Sequence, residues 1–348
     1  MEIRVYSQYL KFLGTIEDHT SVIWTRRYYE PGEFELHAPI TEKNLRLLQP
    51  GNLITKKGSD EAGLIDDVHT EESNIKNEVI RRGLFLTNYF SSRLIKSTFN
   101  FNGPVEVAMR QLIQSVEPIP LLELGELNGF TETVEFQATM KDLLVYLKKL
   151  SRASTIGFHI RPDFKKKKLI FETYKGKDKT LSQGVNSRVI FSEKYENLNN
   201  AIYTYNSRNE KTIAIVGGKG EGAERIYITV GDTNITGYDR KEIFVDAKEI
   251  SDENISHAEY LNLLRQKGLE ALNQHIISEA VESETEPNIN FVYKENYDLG
   301  DIVTVKKRAW DIAFNQRLTE IKEVYEYGGM KVVPTMGDAL PEKIDWSE

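Results

Sequence analysis

Two similar stretches of sequence, far apart in the chain, decide the fold. Residues 50–57 read PGNLITKK and are followed, after a short loop, by LIDDV at 64–68; residues 299–307 read LGDIVTVKK and are followed, after a longer loop, by LTEIKEV at 318–324. A Gly followed by Asn or Asp is typical of a tight turn, and the β-branched and apolar run after it predicts a strand. The acidic and apolar segment that comes next predicts the return strand. The sequence therefore predicts two related β-units.

Length, charge and cysteine content limit the possible functions. With 348 residues the chain exceeds the size at which a single core stops growing, so we expect two or three domains. The net charge of −8 argues against nucleic acid as the main partner, and no nucleic-acid sequence recognition is expected. The absence of cysteine excludes disulfides, thiolate metal sites and Cys nucleophiles.

The chain shows neither a signal peptide nor a membrane-spanning segment. Its N-terminus, MEIRVY at residues 1–6, begins as a strand and lacks a charged region followed by an apolar one. No apolar run approaches the roughly 18 residues that a spanning helix needs. We therefore expect synthesis in the cytoplasm and no export through a signal peptide.

The first half of the chain divides into a β-rich part and an α+β part. In EFELHA at residues 33–38 polar and apolar side chains alternate strictly, as in a half-buried strand. Several such short strands predict a first small β-barrel domain at residues 1–95. Pro104 then opens a helical apolar stripe. Two helices and a hairpin predict an α+β domain at residues 96–188.

Strands return in the second half of the chain. They predict a second β-barrel domain at residues 189–340, interrupted by a long helix at about residues 256–278, and a C-terminal tail at residues 341–348. The predicted fold class is mainly β with α+β: two related small β-barrels and one α+β domain.

The sequence indicates no catalytic, cofactor or metal site. The Gly-rich segment 217–222 is followed by a strand pattern and not by the helix that a phosphate loop requires, so we interpret it as a hairpin tip. Glu33 and Glu35 fall on the polar face of a predicted strand, and Asp66 and Asp67 point to opposite faces of theirs. The six histidines lack metal-ligand spacing.

One cluster is a candidate interface. Two arginines and three aromatic residues precede the turn at Pro31: Trp24, Arg26, Arg27, Tyr28 and Tyr29. Arg and aromatic residues are enriched at protein interfaces. A strand with one buried face and one solvated face explains the same pattern, and the sequence favours neither interpretation.

The chain resembles a known family of tail proteins from phages and prophages of Gram-positive hosts. The resemblance rests on six segments, which occur in the expected order over nearly the whole chain: residues 23–36, 62–67, 124–130, 220–222, 238–247 and 297–303. The family is similar to the baseplate or tail-tip hub proteins of T4-like tails and to the hub part of type VI secretion spikes.

The resemblance implies an architecture, a location and a set of partners. In the hub proteins two related β-barrels lie side by side, and a homotrimer forms a pseudo-sixfold ring that acts as a symmetry adaptor. The implied partners are the distal tail protein or tail tube, the C-terminus of the tape-measure protein, and the spike or receptor-binding proteins. The implied location is the tail of the virion, after synthesis in the cytoplasm of the bacterial host.

From these observations we expect a non-enzymatic structural hub that joins the tail tube to the apparatus for host cell attachment. Two alternatives are a tail-associated peptidoglycan hydrolase and a glycan-binding adhesin. No catalytic, cofactor or metal-binding residues follow from the resemblance.

Overall fold

The structure is a computed structural model that describes residues 1–73, 77–253, 255–285 and 290–337. The C-terminal tail predicted at residues 341–348 lies outside the described residues. The protein is mainly β, with several sheets and few helices, and the predicted fold class is confirmed.

The first β-unit occupies the N-terminal part of the chain. Its core includes Trp24, Phe34, Leu36 and Val79, all buried. Strand alternation at residues 33–38 is as predicted, because the apolar side chains are buried and the polar ones are half-exposed. The elements are β1 (Ile3–Tyr6), β2 (Phe12–Ile16), β3 (Ser21–Arg27), β4 (Glu33–Pro39), α1 (Glu42–Leu47), β5 (Leu53–Lys56), β6 (Gly63–Leu64), β7 (Asp67–Glu72) and β8 (Asn77–Leu84).

An α+β region follows, and its large apolar core also takes in Tyr6, Leu10, Leu53 and Ala62 of the first β-unit. Helix α2 starts directly after Pro104, and α3 starts after Asp142, whose side chain accepts a hydrogen bond from the amide of Val145. The elements are β9 (Leu94–Ile95), β10 (Phe99–Pro104), α2 (Val105–Gln114), β11 (Leu122–Leu124), β12 (Thr133–Ala138), β13 (Lys141–Asp142), α3 (Leu143–Ser154), β14 (Gly157–Asp163) and β15 (Lys168–Tyr174).

The last part of the chain holds the second β-unit and a helical module inserted into it. The elements are β16 (Ile190–Ser192), β17 (Asn199–Asn206), β18 (Ile213–Gly217), β19 (Tyr227–Gly231), β20 (Glu242–Asp246), α4 (His257–Gln274), β21 (Ser278–Glu284), β22 (Ile302–Lys307), β23 (Ile312–Glu326) and β24 (Gly329–Gly337). Helix α4 begins with a capping box formed by Ser256 and Glu259.

The inserted module separates β17 from β21. Strands β18, β19 and β20 form a small sheet that packs on α4 around its own buried cluster, which includes Val216, Tyr260 and Leu264. The long helix therefore does not pack in the core of the second β-unit. The domain boundaries that we predicted from the sequence stay a prediction.

One large sheet runs through both β-units. Within the described residues its strand order is β17-β21-β24-β23-β3-β4-β8-β7, and all seven pairings along this path are antiparallel. The second unit contributes the first four strands of this path and the first unit the last four. Two further strands of the second unit complete the ten-stranded sheet: β22 pairs with β23, and β16 pairs with β22. The two units meet where β23 pairs with β3, so a single sheet joins residues from the two ends of the chain.

The two similar stretches of sequence form the same hydrogen-bonded turn. Gly51 and Gly300 have positive φ angles of 85° and 91°. In each stretch the glycine amide donates to the carbonyl of a residue in the following segment, Ile65 or Leu318. The amide of that same residue donates to the carbonyl of the residue after the glycine. The bonds are Gly51 to Ile65 (2.8 Å), Ile65 to Asn52 (2.9 Å), Gly300 to Leu318 (2.8 Å) and Leu318 to Asp301 (2.8 Å).

We predict that alanine is far more damaging at Gly300 than at Gly51. Both positions have left-handed backbone, which costs a non-glycine residue about 1 kcal/mol or more. At Gly300 a Cβ would also lie 2.2 Å from the ring of Tyr28, whereas at Gly51 the nearest atom belongs to the flexible side chain of Gln8. We expect Gly300→Ala to lower the free energy of unfolding by about 3 kcal/mol and Gly51→Ala by about 1 kcal/mol.

Denaturant unfolding of the two variants measures the difference directly. Gly58→Ala is the control for backbone strain alone, because Gly58 also has positive φ and no atom lies near its Cβ position. Equal losses of stability in all three variants would contradict the prediction.

Candidate assembly interface

The two β-units meet where β3 pairs with β23, and we call this pairing the junction. It is a candidate site because it brings together segments from opposite ends of the chain. Its register runs from Arg27 opposite Glu320 to Ser21 opposite Glu326. Side chains on one face of this junction pack into the protein, and those on the other face form a polar surface. The junction therefore brings the first and second β-units into one continuous sheet.

A buried arginine lies at the centre of the junction. Arg26 is 7% exposed. Its Nε donates to Glu61 Oε2 at 2.6 Å, and its Nη1 donates to the Tyr293 hydroxyl at 2.8 Å and to Asp298 Oδ1 at 3.0 Å. Burial opposes the charge, but the nearby Tyr293, Glu61 and Asp298 outweigh this effect and raise the pKa of Arg26. The guanidinium thus links the two β-units as a permanent cation.

A second buried ion pair crosses between the units. Lys56 Nζ donates to Glu323 Oε2 at 2.8 Å, and both side chains are at least 95% buried. Tyr325 donates its hydroxyl to the same carboxylate oxygen. Burial lowers the pKa of Lys56, and the attraction of Glu323 opposes that shift. Lys56 is the last residue of β5 in the first unit, and Glu323 belongs to β23 in the second. This ion pair therefore connects the two β-units, as Arg26 does.

Tyr28 connects the same junction to the α+β region. Its hydroxyl donates to the carbonyl of Thr155 at 2.9 Å, and the amide of Gly176 donates to it at 3.4 Å. Its ring packs so closely against Gly157 and Gly300 that a Cβ at either position would overlap it. All three parts of the chain therefore meet at this side chain.

The structure places the five candidate interface residues inside one protomer. Trp24 and Tyr28 are fully buried, Arg26 is nearly so, and Tyr29 packs against the core of the second β-unit. Arg27 lies on the polar face, where it pairs with Glu33 and Glu320. These contacts join parts of a single chain, and the prediction that the cluster contacts another protomer stays a prediction.

Sequence reasoning missed the partners of this cluster. Glu61 is 35 residues away from Arg26, and Asp298 is 272 residues away. No local pattern connects such positions. The two similar stretches at 50–57 and 299–307 were the available signal, because each partner lies within a few residues of one of them.

The two edge strands of the large sheet are a second candidate surface. Among the described residues β17 pairs only with β21, and β7 pairs only with β8. On β17 the side chains of Ile202, Tyr203 and Tyr205 are 59%, 38% and 54% exposed. Strand β7 is also exposed over most of its length. Exposed edge strands with apolar side chains are typical of surfaces that pair with another chain.

Within the described residues, three of the four carboxylates considered for catalysis form ion pairs, and Asp67 is one of them, through Arg82. Glu33 pairs with Arg27, and Glu35 pairs with His37 and Arg82. The Gly-rich loop at 217–222 is followed by β19, and the Tyr260 hydroxyl accepts a hydrogen bond from the Lys219 amide within it. No group of three or more metal-ligating side chains occurs in the described parts of the chain, and no helix there is long and apolar enough to span a membrane.

The chain belongs to the family of Siphovirus ReqiPepy6 Gp37-like proteins, whose model matches residues 2–338. No curated protein matches it in sequence.

The fold is that of prophage tail proteins. The 43 kDa tail protein of prophage MuSo2 from Shewanella oneidensis superposes with a TM-score of 0.59 at 13% identity, covering 97% of this chain and 98% of the other. A tail protein from Neisseria meningitidis gives 0.60 at 11%, covering 97% and 96%. Prophage tail protein gp18 from Listeria monocytogenes gives 0.53 at 12%, covering 97% and 95%. By family and fold the chain is a phage tail protein, and the predicted resemblance is confirmed.

We predict that removing the buried cation at the junction strongly destabilises the protein. Arg26→Met leaves Glu61 buried without its partner, and breaking a buried pair in this way typically costs about 3–5 kcal/mol. Arg240→Met is the matched control, because Arg240 pairs with Glu242 at the surface and such pairs contribute less than about 1 kcal/mol. Denaturant unfolding measures both variants.

The double variant Arg26→Met/Glu61→Gln distinguishes two effects: the loss of the attraction between Arg26 and Glu61, and the cost of leaving Glu61 buried with an uncompensated charge. We expect it to recover part of the stability that the single variant loses, since the buried carboxylate at position 61 is gone and Asp298 is half-exposed to solvent. A loss in Arg26→Met no larger than in Arg240→Met would contradict a stabilising role of the junction.

Proposed function

We propose that this phage tail protein is a structural hub at the distal end of the tail. Three copies form a pseudo-sixfold ring, and the ring joins the tail tube to the spike or receptor-binding apparatus. The proposed partners are the distal tail protein or tube, the tape-measure C-terminus and the spike or receptor-binding proteins. The sequence resemblance to tail-tip hubs supports this assignment, and one feature of the large sheet carries it.

That feature is the repetition of strand order within the sheet. The order β17-β21-β24-β23 in the second unit corresponds to β3-β4-β8-β7 in the first, since β23 and β7 both follow the equivalent turns at Gly300 and Gly51. Inside the chain, the last strand of the second unit, β23, pairs with the first strand of the first unit, β3. The two edge strands of the path correspond to the two strands of this internal junction: β7 corresponds to β23, and β17 corresponds to β3.

A pairing between β7 of one copy and β17 of the next would therefore repeat the internal junction between chains. The path has eight antiparallel strands, so its two edges run in opposite directions and an antiparallel pairing continues the pattern. A head-to-tail contact of this kind forms a closed ring when its rotation closes. Three copies supply six similar four-stranded units, which is the match between threefold and sixfold symmetry that a hub requires.

The two faces of the sheet then have distinct roles. One face packs on the cores of the two units, whereas the other is polar and lines a groove with Thr25, Glu33, Arg82 and Lys322. In a closed ring the grooved face would line the central channel. The buried cores and the two modules would lie outside it.

We also infer that the role is mechanical and not enzymatic. The family and the similar solved structures are tail proteins, and Glu33 and Glu35, which were considered for catalysis, form ion pairs on the polar face. Incubation with purified peptidoglycan is the test. Release of soluble fragments that disappears in Glu33→Gln would overturn this inference.

The proposed ring predicts that a negative charge introduced on β17 weakens trimer assembly and that a positive charge does not. Thr204 lies on the polar face opposite the small side chain of Ala280. In the proposed pairing it would face β7 of the next copy, whose polar face carries Asp67 and Glu71. Like charges on facing strands destabilise the pairing. We expect Thr204→Glu to raise the concentration at which trimers form at least tenfold, and Thr204→Lys to leave it unchanged or lower it.

Sedimentation or light scattering over a range of concentrations measures this effect, with thermal unfolding as the check that both variants fold. A natural chain that stays monomeric at high concentration would contradict the trimer. Equal effects of Glu and Lys would contradict the pairing of β17 with β7.

A further inference from the structure

The eight strands along the path of the large sheet end in two rows. We call the row where β7 and β23 end the turn rim, and the opposite row the module rim. At the turn rim β4 and β8 meet at Pro39 and Glu78, and β23 meets β3 and β24 at Glu326. At the module rim the same strands meet at their other ends, for example at Glu33 opposite Leu84 and at Arg27 opposite Glu320. The alternating strand directions fix this division.

Both additional modules lie at the module rim. The α+β region leaves the sheet after Leu84, at the end of β8, and the helical module leaves after Asn206 and returns at Ser278. The modules also contact each other: Asn262 of α4 donates to Glu135 of β12, and Lys149 of α3 pairs with Glu270. They differ in size and fold, so the two β-units look unlike at this rim. A trimer would present threefold features there.

The turn rim is different because each β-unit ends there in an equivalent pair of strands. Strands β7 and β23 run in the same direction, and each connects at this rim to its antiparallel neighbour, β8 or β24. A trimer would therefore present six similar strand pairs at this end. Tyr327, in the turn between β23 and β24, is fully exposed at this rim.

Exposed charges at the turn rim are mainly acidic. Carboxylates flank the strand ends at Glu17, Asp18, Glu42, Glu72 and Glu326, whereas exposed cations on the same side include Lys43, Arg46 and Lys331. Since surfaces that associate have complementary potentials, a partner at this rim should offer Lys or Arg side chains at its contact sites.

We propose that the turn rim is the surface that contacts the sixfold tube, and that the module rim points away from the tube toward the threefold parts of the tail tip. The assignment rests on the proposed trimeric hub, because only a trimer makes six similar strand pairs from two per chain. The partner is a ring of six identical subunits with basic contact sites.

Two fully exposed tyrosines at opposite ends of the molecule allow a matched test. Tyr327 lies at the turn rim, and Tyr238 lies in the helical module at the module rim. Replacing either tyrosine by the photo-crosslinker p-benzoylphenylalanine keeps an aromatic side chain at a position where the fold has room for it. Tail particles assembled in cells from each variant are irradiated, and mass spectrometry identifies the crosslinked proteins.

We expect the crosslinker at position 327 to capture the subunit of the sixfold ring, and the crosslinker at position 238 to capture other proteins or none. Capture of the sixfold subunit from position 238 and not from 327 would overturn the assignment, and so would its capture from neither position. The oligomeric state of the purified chain is measured separately. A trimer with the reversed crosslinks refutes only the orientation, whereas a monomer refutes the proposed hub.

Charge reversal gives a second readout that does not depend on crosslinking. The double variant Glu72→Lys/Glu326→Lys reverses two exposed charges at the turn rim, and Glu221→Lys/Glu224→Lys reverses two exposed charges in the helical module. We expect the first variant to reduce the number of tails that contain the hub at least tenfold and the second to leave it unchanged. The opposite result would overturn the assignment.

Discussion

The charge on Arg26 must be compensated inside the protein, and the rest of the architecture depends on that constraint. A guanidinium taken out of water is costly unless several acceptors surround it. Here the acceptors come from a loop of the first β-unit, Glu61, and from the segment before β22, Tyr293 and Asp298. The N-terminal and C-terminal parts of the chain therefore share one buried charge cluster, and both supply carboxylates to it.

This dependence explains how two units with separate cores share one sheet. Backbone pairing of β3 with β23 is not selective by itself, since one edge strand can pair with many others. The Arg26 cluster and the pair of Lys56 with Glu323 add specificity, because a shifted register would leave these charges buried and unpaired. Tyr28 then positions the α+β region at the same point, through hydrogen bonds and close packing on Gly157 and Gly300.

Sequence patterns predicted the local elements and the repetition, but not the contacts between distant segments. The strand at 33–38 and the start of α2 after Pro104 follow from alternation and from proline geometry, which act over a few residues. No local pattern predicts that α4 packs with β18, β19 and β20, because the apolar face of a helix does not identify the sheet against which it packs. The candidate interface residues were recognised by composition, and only the fold shows that a single chain already satisfies them.

The internal junction and the proposed junction between chains are chemically unlike, although they occupy equivalent places. Strand β3 contributes a buried arginine to the first, whereas β17, with the sequence NNAIYTYN, contributes no charge to the second. A ring built this way would alternate three contacts made once, during folding, with three made later and more easily separated. Under mechanical load the ring would separate at the three contacts between chains and not at the three contacts within chains. It would come apart into three pieces, and each piece would be one whole polypeptide.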